Sequence, residues 1–149
     1  MKRVLDTSEI VIDSGQYIPF HPKCSHLHGH SYFIRNLLLS VKSGAFVDFG
    51  KIKEKVKEYD HKLFCPPEHV EVWEEVGKIV QKIGVIIDLK VIDGPNKMNL
   101  VEEIGEQLAE ELLEMDENVE AVSFGIYEGP NQGTIISAHK NELGEVVFA

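Results

Sequence analysis

The chain has 149 residues, 43% of them hydrophobic, with a formal net charge of −10 and two cysteines, which fits one domain over residues 1–149 with a sizeable core. That excess of acid argues against nucleic acid or an anionic membrane as a partner, because such surfaces repel it unless cations gather locally. No apolar run approaches the roughly 18 residues needed to span a bilayer, and Asp6, Glu9 and Asp13 interrupt the apolar start, so no signal peptide is expected and the sequence reads as cytoplasmic.

In chain order, Val4, Ile10 and Val11 mark a strand over residues 3–13, and Asp13-Ser14-Gly15 is a turn signal. A return segment, residues 16–20, delivers His21. Residues 21–30 then hold four histidines and a cysteine, a density unlike that of a solvated face. If a strand begins near Gly29 and runs to Val41, His28 and His30 project to one side with Cα atoms roughly 6–7 Å apart. Two imidazoles that close can share a metal ion. His21 stands seven residues before His28, far enough for the chain to turn back and supply a third ligand. Three histidines with an open fourth position is the pattern of a catalytic zinc, whereas a structural zinc is closed by four protein ligands. His26 alone reads as an ordinary histidine. Gly29 lets another group approach the backbone. Cys24 reads either as a small buried hydrophobe or, near a dication and imidazoles, as a thiolate acting as nucleophile or base.

After Lys42-Ser43-Gly44, residues 45–50 form a short extended piece and residues 51–59 a helix with Ile52, Val56 and Tyr59 on one face. Asp60-His61 at its end reads as a helix cap or as a carboxylate orienting an imidazole for proton transfer. Cys65 is expected in a loop without a role, and a Cys24–Cys65 disulfide is not expected in a reducing compartment. Pro66-Pro67 forces a loop, and residues 68–83 form an amphipathic helix in which Trp73 serves packing. Residues 85–92 read as a buried strand and 93–96 as a turn, followed by a long helix from Leu100 to Met115. A hairpin closes the chain, with arms 119–128 and 134–138. Glu128 ends its first arm, where a carboxylate reads either as an ordinary exposed residue or, if buried and paired, as a bidentate grip on the amino and ring N–H groups of a heterocycle. The order of elements predicts an α+β domain with helices on one face of an antiparallel sheet.

Taken together, Cys24-x-x-x-His28-Gly29-His30, the earlier Phe20-His21, the later Val47-Asp48-Phe49-Gly50, Asp60-His61 and Ile126-Tyr127-Glu128 resemble the 6-pyruvoyl-tetrahydropterin synthase and 6-carboxy-tetrahydropterin synthase family over residues 20–128. The resemblance implies a tunnelling fold whose sheets join between subunits into a barrel, as a homohexamer of two trimers with active sites at the interfaces. It implies His21, His28 and His30 as zinc ligands, Cys24 as catalytic base, Asp60 and His61 as its proton relay, and Glu128 as anchor of the pterin ring. The implied substrate is 7,8-dihydroneopterin triphosphate and the implied activity that of a carbon–oxygen lyase eliminating triphosphate. Lys23, Arg35 and Lys62 are candidate cations for that anion. Three features depart from the family pattern. Only Pro22-Lys23 separates His21 from Cys24, the helix start is Asn99-Leu-Val-Glu102-Glu103, and the segment 64–98 is long. These leave 6-pyruvoyl, 6-carboxy and 6-hydroxymethyl products open. Two other readings are a non-catalytic pterin- or purine-binding homologue and a metal-dependent hydrolase of unrelated fold.

Overall fold

The computed structural model describes residues 3–149. In chain order it contains β1 (Arg3–Asp6), β2 (Ile10–Gln16), β3 (His28–Val41), α1 (Phe49–Lys57), β4 (Leu63–Cys65), a 3₁₀ turn (Pro67–His69), α2 (Val70–Gln81), β5 (Leu89–Val91), α3 (Val101–Glu114), β6 (Val119–Glu128), β7 (Gln132–Lys140) and β8 (Val146–Phe148). The strands form one eight-stranded sheet in the order β5-β4-β2-β3-β6-β7-β8, with β1 also pairing β3. The α+β class is as expected.

The spine is β3, whose 14 residues pair β2 along His28–Ile34 and β1 along Leu38–Val41. A bulge between Arg35 and Leu38, with Asn36 in the left-handed region at φ 53°, separates the two halves. The strand expected over residues 3–13 is therefore two strands broken at Thr7–Glu9. The expected turn at Asp13-Ser14-Gly15 lies instead inside β2. Small polar residues here serve close approach: the Ser14 hydroxyl donates to the Tyr59 carbonyl at 2.5 Å, and the Gly15 N–H donates to the Lys62 carbonyl at 2.8 Å. A Cβ on Gly15 would stand 3.2 Å from Leu63 Cδ1.

Asp48 caps α1 by accepting from the Gly50 N–H at 2.8 Å. Ile52, Val56 and Tyr59 are fully buried on one face, as their spacing predicts. Helix α3 lies across β6 and β7 and buries Ile104, Leu108 and Leu112 in the same core as Ile12, Tyr32, Ile34 and Phe124. Each such aliphatic side chain contributes about 1.5–3 kcal/mol by leaving water.

The sheet is mixed, because β4 runs parallel to β2 and β5 parallel to β4. This corrects the all-antiparallel expectation. It also moves Cys65 from a loop to a fully buried strand position, where burial pushes its thiol up to about 11. The strand expected over residues 85–92 shrinks to Leu89–Val91, since its partner β4 offers only three residues to pair. Val85 and Ile86 are left exposed. Among the described residues no helix is long and apolar enough to cross a membrane.

Gly105 is where α3 meets the sheet most closely: an added Cβ would stand 2.9 Å from Ile126 Cγ2 and 3.0 Å from Ile136 Cγ1. Gly105→Val is expected to destabilise the fold by about 1–3 kcal/mol through overpacking, read as a lower midpoint in thermal or urea unfolding.

Candidate functional site

The site grows from the β2–β3 ladder, in which Ser14 faces His30, Gly15 faces Gly29 and Gln16 faces His28. Directly opposed residues share a face of the sheet, so His28 and His30 lie on the side where Tyr32 and Ile34 enter the core. Their rings stand edge to face with centroids 4.8 Å apart, and His30 continues onto Tyr32 at 5.6 Å. The expectation that these two imidazoles converge is met. The Nδ1 of His28 lies 2.5 Å from the His26 carbonyl, which only accepts, so Nδ1 carries the proton and Nε2 presents its lone pair. A backbone carbonyl in this position is how metal-binding histidines are commonly oriented.

Gln16 is buried beneath this pair. Its Oε1 accepts from the Tyr32 hydroxyl at 2.9 Å and its Nε2 donates to the Asn99 carbonyl at 2.5 Å. Burial, with the Glu128 carboxylate nearby, holds the Tyr32 phenol far above its ordinary range, so that it keeps the proton it donates to Gln16. Glu128 faces Tyr32 across the β3–β6 ladder, which puts this half-buried carboxylate on the histidine face, diagonal to His30.

The segment 59–63 is laid along the outer side of β2. His61, left-handed at φ 56°, donates its N–H to the Asp13 carbonyl at 2.8 Å, while the Asp13 N–H donates to Asp60 Oδ1 at 2.7 Å. Asp60 Oδ2 in turn accepts from His61 Nδ1 at 3.0 Å. Adjacency in sequence thus becomes a real carboxylate–imidazole contact, with Nε2 of His61 facing outward on a largely exposed ring. Partial burial raises the Asp60 pKa, but the Asp13 N–H, His61 and Lys57 outweigh it, and the net effect is a lowered value.

Two adjoining cavities, of about 440 and 470 Å³, share Gly15, Gly29, His61 and Lys62. His28 lines the first and His30 the second. Gly15 and Gly29 oppose each other on the face turned away from the His28 and His30 rings, so these cavities border the histidine strand from the other side of the sheet, with His61 beside them. His21 and Cys24 are not among the lining residues. They belong to the loop between β2 and β3, where His21 Nδ1 accepts from the N–H groups of Lys23 (3.1 Å) and Cys24 (2.9 Å), and the Cys24 carbonyl accepts from Ile18 N–H at 2.7 Å. In that state the proton of a neutral His21 sits on Nε2. Among the described residues no three His, Cys, Asp or Glu side chains form a group that could hold a metal ion.

Of the three candidate cations only Lys62 lines the cavities. Arg35 is engaged by Glu9 at 2.6 Å and lies over the rings of Phe33 and Tyr127. Sequence reasoning missed Gln16, whose residue type signals no chemistry, and the wall of the first cavity formed by Trp73, Ile86 and Ile87.

This is a tunnelling-fold domain with a histidine- and carboxylate-lined site at one end of its sheet. The profile of the 6-pyruvoyl tetrahydropterin synthase family matches residues 6–139, and the chain belongs to that family of tetrahydropterin-synthase-type lyases. A Pyrococcus abyssi protein provisionally named a 6-carboxy-5,6,7,8-tetrahydropterin synthase is 29% identical over 145 aligned residues, covering 87% of this chain and 90% of that one. A Pyrococcus horikoshii protein of the same provisional name is 30% identical over 131 residues, covering 79% and 80%. The 6-pyruvoyl tetrahydropterin synthase of Plasmodium falciparum superposes with a TM-score of 0.56 at 19% identity, covering 93% of this chain and 98% of that one. That likeness concerns the fold.

Because its folded-state pKa is depressed, Asp60 stabilises the fold above the unfolded carboxylate value of about 3.9, and this contribution is lost as pH falls through the lower folded value. Asp60→Asn is expected to lower stability at pH 7 by about 1 kcal/mol. In thermal unfolding across pH 2–7, the gap between wild type and variant should close below about pH 4.

Proposed function

We propose that this protein is a zinc-dependent lyase acting on the side chain of a 7,8-dihydroneopterin, with the triphosphate as substrate by family resemblance. The observation that carries this reading is the edge-to-face pair of His28 and His30 on the strand face that Glu128 shares. The names of the Pyrococcus relatives favour the 6-carboxy product over the 6-pyruvoyl one.

Zinc suits this donor set in kind, since neutral imidazoles with an open position are its catalytic ligands. His28 and His30 form the fixed part of the set, and His21 joins when its ring leaves the Lys23 and Cys24 N–H groups. The two hydrogen bonds given up are worth about 1 kcal/mol each, against a metal-binding free energy on the order of 10 kcal/mol. When bound, the ion polarises the side-chain oxygens and acidifies the neighbouring C–H and O–H groups.

The remaining work falls to the chain itself. Glu128 accepts from the amino and ring N–H groups of the pterin and fixes its orientation. Asp60 holds the His61 ring through Nδ1–H, so that Nε2 takes up and returns a proton. Cys24, as thiolate, removes the side-chain proton. A second reading, a pterin-binding protein without turnover, is favoured by the place of Cys24 on the loop between β2 and β3, while His28, His30 and Glu128 stand on paired strands.

Incubation with dihydroneopterin triphosphate followed by mass analysis separates these readings and names the product. About one zinc per chain and steady consumption of substrate are expected, with turnover lowered about 10²–10⁴-fold by Cys24→Ala or by His61→Ala. His28→Ala and His21→Ala should both lose bound zinc. Full turnover by metal-stripped protein, or zinc content unchanged in His21→Ala, would remove the proposed role of the triad, and ligand binding without product would favour the second reading.

A further inference from the structure

Helix α2 is held to the sheet by one side only. Val70 and Trp73 pack against Tyr17, Leu63 and Cys65, and the Trp73 Nε1–H donates to the Tyr17 hydroxyl at 2.8 Å, which fixes how the helix is turned. Even so, α2 buries none of its residues fully. A second apolar stripe runs about a quarter of the way round the helix from Trp73. Val72, Val76 and Ile79 stand on it, and Ile83 extends it through the closing turn, where its N–H donates to the Val80 carbonyl at 3.1 Å. Val76 is half-buried, whereas Val72, Ile79 and Ile83 are 58%, 64% and 79% exposed. Single apolar side chains on a surface need no explanation, but a continuous line of them marks a place of contact.

The spacing of Val72, Val76, Ile79 and Ile83, four then three then four residues, is that of the alternating core positions of a helix-to-helix seam. The charges beside the stripe select what fits it. Glu75 and Lys82 flank it on the side away from Trp73, one helical heptad apart, and among the described residues neither has an ion-pair partner within the chain. Two copies of α2 laid antiparallel about a two-fold axis set Val72 on the partner's Ile83, Val76 on the partner's Ile79 and Glu75 near the partner's Lys82, each contact occurring twice. A parallel pair would instead oppose glutamate to glutamate and lysine to lysine. The surface is thus complementary to itself only when reversed. We propose that the α2 stripe of Val72, Val76, Ile79 and Ile83 is a two-fold docking surface for a second copy of this chain, with Glu75 and Lys82 fixing its antiparallel sense.

Sedimentation or light scattering on the intact protein reads this contact. Ile79→Glu, at an exposed position outside the core, is expected to halve the mass found for the wild type at micromolar concentration, with the far-ultraviolet circular dichroism unchanged. Glu75→Lys should weaken the association about tenfold at low salt by setting like charges across the seam, and adding Lys82→Glu to it should restore the affinity. Oxidation of the double variant Val72→Cys, Ile83→Cys should give a covalent dimer that neither single variant gives, since only the antiparallel arrangement brings these two positions together. A mass unaffected by Ile79→Glu would overturn the proposal and leave the stripe to a partner of another kind. Cross-linking by either single variant, or a double charge reversal that fails to restore association, would overturn the antiparallel pairing.

Discussion

The pairing register of β2 on β3 is the constraint from which the rest of the site follows. A strand has a side-chain period of two, so a slip by one residue would turn His28 and His30 to the opposite face and carry Ile12 and Ile34 out of the core with them. Apolar burial alone resists such a slip, and Gln16 adds a directional lock. Its amide joins the Tyr32 hydroxyl of β3 to the Asn99 carbonyl before α3, and the Asn99 side-chain amide returns to the Tyr17 carbonyl at 3.2 Å. In a buried setting each broken partner leaves a polar group unsatisfied at about 1–3 kcal/mol. The polar network fixes one register where a purely apolar surface would tolerate neighbours of similar energy.

From this frame the candidate site divides into a rigid part and a loop part. His28, His30 and Glu128 stand on paired strands, and His61 is fixed by backbone bonds to β2. His21 and Cys24 stand on the loop between β2 and β3, held by local turns and by the ring nitrogen of His21 itself. Strand-borne groups keep their geometry without a ligand, whereas loop groups exchange weak local hydrogen bonds for a stronger partner. Binding energy from a metal and substrate is well matched to the second task and unnecessary for the first.

The parts legible in the sequence are those where periodicity and chemistry coincide. The His28-Gly29-His30 pair was readable because alternate residues of a strand share a face, and Ile52, Val56 and Tyr59 because spacings of four and three share a face of a helix. The final hairpin announced itself through Gly129-Pro130. What escaped is physically of another kind. Ser14-Gly15 looks like a turn because small residues mark both turns and places where another segment packs closely. The three-residue strands β4 and β5 are too short to show a period and owe their existence to parallel pairing with distant residues. Gln16 and Trp73 acquire their meaning only from what lies across the sheet from them.

The short β4 also explains how the Asp60–His61 pair comes to be held at all. The outer edge of β2 pairs β4 at one register position, Gly15 with Leu63. Two residues earlier, the Asp13 N–H and carbonyl still point outward and would be unpaired edge groups. They are taken instead by the Asp60 carboxylate and the His61 N–H. A ladder longer by two residues would consume both groups, leaving the carboxylate without the backbone donor that helps keep it ionised and the imidazole without a fixed partner. The left-handed conformation of His61, a small local strain, lets the chain leave α1, dock on Asp13 and start β4 within a few residues. The fixed carboxylate–imidazole contact thus comes from a ladder that begins late, and the sheet edge and the pair are two descriptions of the same hydrogen bonds.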